Sequence, residues 1–231
     1  MTKVENSVIG LLLDVPLFGS MGTAALARLA VGASEVNVRG KSVIFRRGEA
    51  CRGLYVVCSG QVKLTLEAAQ GGEQVVELVA PGGILGETAL FLDGPHVLSA
   101  ETLSDTVLLH VTKAAILSEL ERTPEFTRVI ITILSRRLEH VIGALEDCTL
   151  RSGTERVVGY LLNQLSPDAV NGHAMVTLPA KKGVIASQLN LTHEHFSRIL
   201  RGLTIAAMIE VDGSTVRIRD VDQLRTHCLQ S

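Results

Sequence analysis

The stretch from Lys182 to Leu200 admits few folds, because two short amphipathic helices must meet there at a sharp turn. Ile185 and Leu189 stand four apart and share one face of a first helix, with the small Ala186 where a second helix can cross. The chain must then reverse through a residue of positive φ. Asparagine tolerates this better than any residue except glycine, and Asn190 stands in that place. Thr192 is set to cap a second helix, with Glu194 and His195 in its first turn. Phe196, Ile199, Leu200 and Leu203 form its apolar stripe. Glu194, Ser197, Arg198 and Arg201 fall at i, i+3, i+4 and i+7 on the opposite side.

A helix-turn-helix with such a stripe is expected to read a DNA major groove. Arginine forks onto guanine O6 and N7, and glutamate accepts from cytosine N4. The predicted contact set is Thr192, His193, Glu194, Ser197, Arg198 and Arg201. The plain alternative is a solvated helix whose Glu194 and Arg198 pair at i,i+4. Residues 209–218 favour DNA binding: they alternate apolar and polar around Asp212-Gly213, as a two-stranded wing does.

With 231 residues and 46% hydrophobic content, the chain has room for two modest domains and a sizeable core. No apolar run is long enough to span a bilayer. Residues 8–13 are closed by Asp14 and Pro16, without a basic leader, so a cytoplasmic protein is expected with no membrane partner. The formal charge of −2 divides unevenly. Residues 151–231 carry nine Lys/Arg against seven Asp/Glu, and residues 1–150 carry thirteen against seventeen. Cations are biased towards the part that would meet phosphates. Cys51, Cys58, Cys148 and Cys228 have no metal-binding spacing and are expected to be reduced thiols. No cysteine precedes position 51, which argues against an N-terminal four-cysteine iron–sulfur site.

From about 36 to 111, glycines punctuate short β-prone runs at 42–45, 54–58, 62–66, 74–79 and 106–110. This pattern predicts an antiparallel roll whose interior is a natural ligand pocket. Residues 113–122 read as a short helix, and Pro124 opens a long one to about 147. Within it Ile130, Leu134, Leu138, Val141, Leu145 and Cys148 follow near-heptad spacing, which predicts a dimerisation seam. The alternative is a helix packed only on its own roll. Residues 150–154 break the pattern as a hinge and cap; a helix at 154–165, a loop around Pro167 and Asn171-Gly172, and a strand at 176–179 follow. The expected class is α+β with three segments: a β-roll sensor with flanking helices at 1–123, a dimerisation helix at 124–149, and a winged helix-turn-helix at 150–231.

In this order the chain resembles the family of the cyclic-AMP receptor protein and the fumarate–nitrate reductase regulator (CRP/FNR). The marks are Val43-Ile44-Phe45-Arg46-Arg47-Gly48-Glu49, Leu54-Tyr55-Val56-Val57-Cys58-Ser59-Gly60-Gln61-Val62-Lys63, Gly86-Glu87-Thr88-Ala89-Leu90-Phe91 and Phe196-Ser197-Arg198-Ile199-Leu200. The resemblance covers nearly the whole length. It implies a cyclic-nucleotide-binding-like roll (a double-stranded β-helix) and a homodimer that binds a near-palindromic operator and controls transcription with RNA polymerase. Glu194, Ser197 and Arg198 look like the fumarate–nitrate branch, which implies a TTGA-type half-site; there the glutamate and arginine contact the G·C pair and the serine a neighbouring thymine. His193 stands where the receptor-protein branch has arginine.

The resemblance places the effector pocket at Gly86, Glu87, Val97 and Leu98. In cyclic-nucleotide members an Arg-Ser or Arg-Thr pair holds the phosphate where this chain has Val97-Leu98. A buried phosphate without that cation is poorly stabilised, so cyclic AMP is not the expected effector. Glu87 is then expected to be a turn carboxylate accepting backbone bonds. The run Leu90-Phe91-Leu92-Asp93-Gly94-Pro95-His96 and residues 155–162 look like the Dnr-type subgroup, which implies a gas effector sensed through haem. His96, His110, Cys51 and Cys58 are the available axial donors, and none is singled out.

A cupin-type enzyme would also use a β-roll, but it needs a tight histidine pair and a carboxylate, and no catalytic motif is present. No catalytic or metal residues are therefore expected. A dimer acting only through protein partners would keep the fold without operator preference.

Overall fold

The computed structural model describes residues 3–15, 18–19, 21–67, 71–165 and 173–228. The loop expected around Pro167 and Asn171-Gly172 lies outside the described residues. Contacts divide the chain into two compact units, the first ending at Leu138 and the second beginning at Glu139.

The first unit opens with α1 (Lys3–Asp14) and α2 (Thr23–Val31). Eight strands follow: β1 (Ala33–Val38), β2 (Val43–Phe45), β3 (Gly53–Ser59), β4 (Val62–Glu67), β5 (Glu73–Val79), β6 (Ile84–Leu85), β7 (Ser99–Thr102) and β8 (Thr106–Thr112), with α3 (Glu87–Phe91) between β6 and β7. They form two antiparallel sheets, ordered β1-β8-β3-β6 and β2-β7-β4-β5. β3 explains why both sides of the first sheet read as apolar. Val57 packs into the roll interior with Phe45, Val62, Leu64, Leu85 and Leu108. Leu54 and Val56 point the other way, into a core with Leu12, Phe18, Leu29, Ile116 and Phe126 from the helices. A strand covered on both faces loses the period-two alternation. The roll therefore carries a helical layer, locked in part by Glu119 of α4 (Lys113–Arg122), which accepts both prongs of Arg28 of α2 at 2.7 and 2.9 Å.

The long helix α5 (Pro124–Leu150) begins in this core. Ile130 is 3% exposed and packs with the roll's helical layer. The assignment of Ile130 to a dimer seam is thereby corrected: the apolar stripe at the start of α5 is consumed by the chain's own core. Leu134 packs partly against the same core, whereas Leu138, Val141 and Leu145 are 62%, 51% and 63% exposed.

The second unit contains α6 (Gly153–Asn163), β9 (Ala174–Thr177), α7 (Lys182–Gln188), α8 (His193–Ile205), β10 (Ile209–Asp212), β11 (Thr215–Ile218) and α9 (Val221–Cys228). The predicted hairpin forms, with Asp212 paired to Thr215 and Gly213 at φ 58°, and β9 adds to it as a third strand. Phe196, Ile199, Leu200 and Leu203 join Val157, Leu161, Ile185 and Val216 in one core. Among the described residues, no helix is long and apolar enough to cross a membrane.

Candidate nucleic-acid interface and effector pocket

The turn between α7 and α8 closes as its residues dictate. Asn190 takes φ 55°. Its N–H bonds the Ser187 carbonyl at 3.0 Å, and that of Leu191 bonds Ala186 at 2.9 Å. This double closure with a left-handed residue ends a helix while satisfying its orphan carbonyls. Two residues later Thr192 Oγ1 accepts from the His195 N–H at 3.1 Å and starts α8.

With the four apolar side chains of α8 buried, Glu194, Arg198 and Arg201 are exposed and Ser197 is half-buried beside them. Thr192 and His193 are exposed at the same end. Among the described residues no ion pair joins Glu194 to Arg198. The stripe presents one acceptor, one hydroxyl and two guanidiniums without an internal partner, which is what base-edge readout requires.

In the roll, Gly86, Glu87, Val97 and Leu98 do converge, around a small cavity also lined by Phe45, His96 and Arg137. Gly86 holds φ 90°, and a Cβ there would stand 3.1 Å from the Gly53 carbonyl oxygen and 3.3 Å from the His96 ring. Glu87 accepts from its own backbone N–H, as a turn carboxylate would, but it also meets a cation. Its side chain is 4% exposed and its Oε1 is bonded by Nη1 of Arg137, while Nη2 of Arg137 bonds Glu77 at 2.6 Å. Its Oε2 is buried without a hydrogen-bond partner among the described groups. Burial pushes the Glu87 carboxyl up from its ordinary value, and Arg137 pulls it partly back.

Arg137 was not legible as a site residue, although a signal existed: it lies seven residues after Ile130 on the helix face that packs inward. A lone cation on an inward stripe implies a buried counter-charge. It is the one guanidinium lining this cavity, and both its forks are taken by carboxylates. A cyclic phosphate therefore finds no free cation here, and Val97 and Leu98 offer none.

Haem does not fit this cavity either. The cavity is about 20 Å³, room for roughly one water. His96 is 5% exposed and lies flat on Phe45, ring centroids 3.7 Å apart, and His110 packs on Tyr55 at 4.7 Å. Cys51 Sγ bonds the carbonyls of Gly53 and Gly86, and Cys58 packs against the helical layer. Burial lowers the His96 imidazole below its ordinary value, as expected of a packed ring. Among the described residues no cluster of three His, Cys, Asp or Glu is placed to hold a metal.

Comparison with known proteins matches these two units in turn. Residues 35–123 match the cyclic nucleotide-binding domain, and residues 155–227 match the Crp-like helix-turn-helix domain. The chain belongs to the CRP/FNR family of transcriptional regulators. Among the relatives of this CRP/FNR regulator is the CRP-like cAMP-activated global transcriptional regulator of Mycobacterium tuberculosis, 26% identical over 90% of this chain and 94% of that protein. The cyclic AMP receptor protein of Thermus thermophilus is 27% identical over 77% and 80%. Among solved structures, FixK2 from Bradyrhizobium japonicum superposes with a TM-score of 0.73 over 84% of this chain and 96% of its own, at 24% identity, a likeness of fold. The pairing of a nucleotide-binding-like roll with a winged helix is thus that of the family. The ionic plug of Glu87, Arg137 and Glu77 is a feature of this CRP/FNR chain's own residues.

Proposed function

We propose that this regulator acts as a homodimer on a near-palindromic TTGA-type operator, using Glu194, Ser197 and Arg198 to read each half-site and Thr192, His193 and Arg201 to hold the flanking backbone. The observation that carries this reading is the exposed polar stripe of α8, free of internal ion pairs among the described residues and backed by a packed apolar face. The exposed Leu138, Val141 and Leu145 support association of two copies along α5. Two recognition helices then enter successive major grooves about 34 Å apart. Bound in this way, the dimer acts on transcription through RNA polymerase.

For the effector, the filled pocket supports a molecule other than cyclic AMP, even though one relative is named as cAMP-activated. A second reading, regulation without an obligatory effector, is favoured by the same observation. Arg137 and Glu87 already satisfy much of each other's charge, so the roll is closed without a ligand. In either case, the state of the roll is transmitted along α5 to the hinge at 150–154.

The test is fluorescence anisotropy of effector-free protein on a TTGAT-N4-ATCAA duplex and a scrambled control at one salt concentration. Tight, selective binding is expected, unchanged by cyclic AMP. Equal binding to both duplexes would overturn the operator assignment. A large gain in selectivity with cyclic AMP would overturn the effector assignment.

A further inference from the structure

The turn of the helix-turn-helix has a carbonyl problem that its own backbone does not solve. The closure described above uses the carbonyls of Ala186 and Ser187, and leaves those of Leu189 and Asn190 pointing past the end of α7. Both accept from one donor: Arg156 of α6 places Nη1 2.6 Å from the Leu189 oxygen and 3.2 Å from the Asn190 oxygen. A cation at this end also meets the negative end of the α7 dipole. The Nε of Arg156 is buried without a partner among the described groups, a cost that the two carbonyl bonds offset.

Arg156 is itself fixed. Ser152 and Glu155 cap α6 reciprocally, the Ser152 N–H bonding Glu155 Oε2 at 2.6 Å and the Glu155 N–H bonding Ser152 Oγ at 3.3 Å. Arg156 follows directly on this cap. A second, independent contact joins the same two places. A Cβ on Gly153, at the start of α6, would stand 3.2 Å from His195 and 3.3 Å from Ile199 of α8. The first turn of α6 is thus fitted against both the turn and the recognition helix.

We propose that Arg156 is a positioning residue for DNA recognition: it clamps the Leu189–Asn190 turn and thereby sets the direction in which α8 presents Glu194 and Arg198. Only Leu191 separates Asn190 from the Thr192 cap, so the turn has little freedom to absorb a change. Because Arg156 sits one turn from the break after α5, it also lets the state of that break reach the recognition helix. This rests on the DNA-binding reading above.

The test compares Arg156→Ala and Arg156→Lys with the parent chain by anisotropy on the specific and scrambled duplexes, together with hydrogen exchange of the 187–195 amides. Arg156→Ala is expected to weaken specific binding about tenfold, to leave scrambled-duplex binding within about twofold, and to speed exchange in the turn. Arg156→Lys keeps a cation and a donor and is expected to restore most of both readouts. Equal loss on the two duplexes in both variants would make Arg156 a phosphate contact or a general stabiliser and overturn the proposal. Unchanged exchange in Arg156→Ala would overturn it as well. Failure of the parent chain to discriminate the duplexes would instead sink the operator reading, and the exchange data would still decide whether Arg156 clamps the turn.

Discussion

Arg137 and Glu87 lie fifty residues apart in sequence and meet at the roll pocket, where the guanidinium bonds a carboxylate that is 4% exposed. The same guanidinium holds Glu77 at 2.6 Å, so one cation bridges two acids on the roll.

Removing that cation leaves both carboxylates in a poor environment. Arg137→Met is expected to destabilise the first unit by about 2–4 kcal/mol in urea unfolding, towards the lower end because Arg137 and Glu77 keep partial solvent access. Adding Glu87→Gln is expected to recover much of the loss. The sign of the pH dependence follows from the raised Glu87 carboxyl: its neutral form is favoured by the fold, so its contribution is present below the ordinary value of 4.5 and declines as pH rises through the folded value. In Arg137→Met that decline should steepen. A loss below about 0.5 kcal/mol would show the pair to be fully screened.

Arg198 stands exposed on α8 with no carboxylate partner among the described residues, so its truncation would remove the proposed DNA contact without unmaking an internal one. Arg198→Ala is expected to cost about 1–3 kcal/mol on the TTGA-type duplex and to flatten discrimination at one base pair. Titration against single-base operator variants checks this. Equal loss on every sequence would demote Arg198 to a phosphate contact.

Leu138 and Leu145 are 62% and 63% exposed on α5 and contribute little to the fold of one chain. Leu138→Glu and Leu145→Glu are expected to shift sedimentation towards monomer and to weaken operator binding together, while each unit still melts cooperatively. Intact dimers with normal operator affinity would refute the assigned seam. Ile130→Glu is expected to unfold the first unit instead, because Ile130 is 3% exposed.

Burial pushes the Tyr160 phenol up to about 12, and its hydroxyl is buried without a partner among the described groups. The folded state favours the protonated phenol, so stability is unaffected below the ordinary value of 10.0 and falls as pH rises from there towards 12. Tyr160→Phe removes an unsatisfied hydroxyl and is expected to be neutral or stabilising by up to about 1 kcal/mol at pH 7, and to blunt the alkaline loss. Thermal melts of both proteins from about pH 8 to about pH 12, a range that spans the shift, read this directly.

Local signals carried the second unit well. Asn190, Thr192 and the 196–203 apolar stripe each act within a few residues of their own position, and all take the expected conformation. The roll was less legible. β1 alternates only over Val36 to Val38, β7 carries a single apolar residue in four with no glycine beside it, and α1 and α2 are short apolar segments whose place over the sheet depends on partners far along the chain.

Local rules specify the helix-turn-helix, the wing hairpin and the long helix, and the residues at Val97-Leu98 supply no phosphate-binding pair. Which partner each charged or apolar group meets depends on how distant segments pack together. Ile130 and Leu138 have the same chemistry and helical spacing, yet one is spent on the core and the other left exposed. Arg137 and Arg156 have no identifiable partner in the sequence until the fold brings Glu87 to one and the Leu189 carbonyl to the other. Periodicity reports the face of an element, whereas burial and charge pairing depend on contacts across long sequence separations that no local pattern encodes.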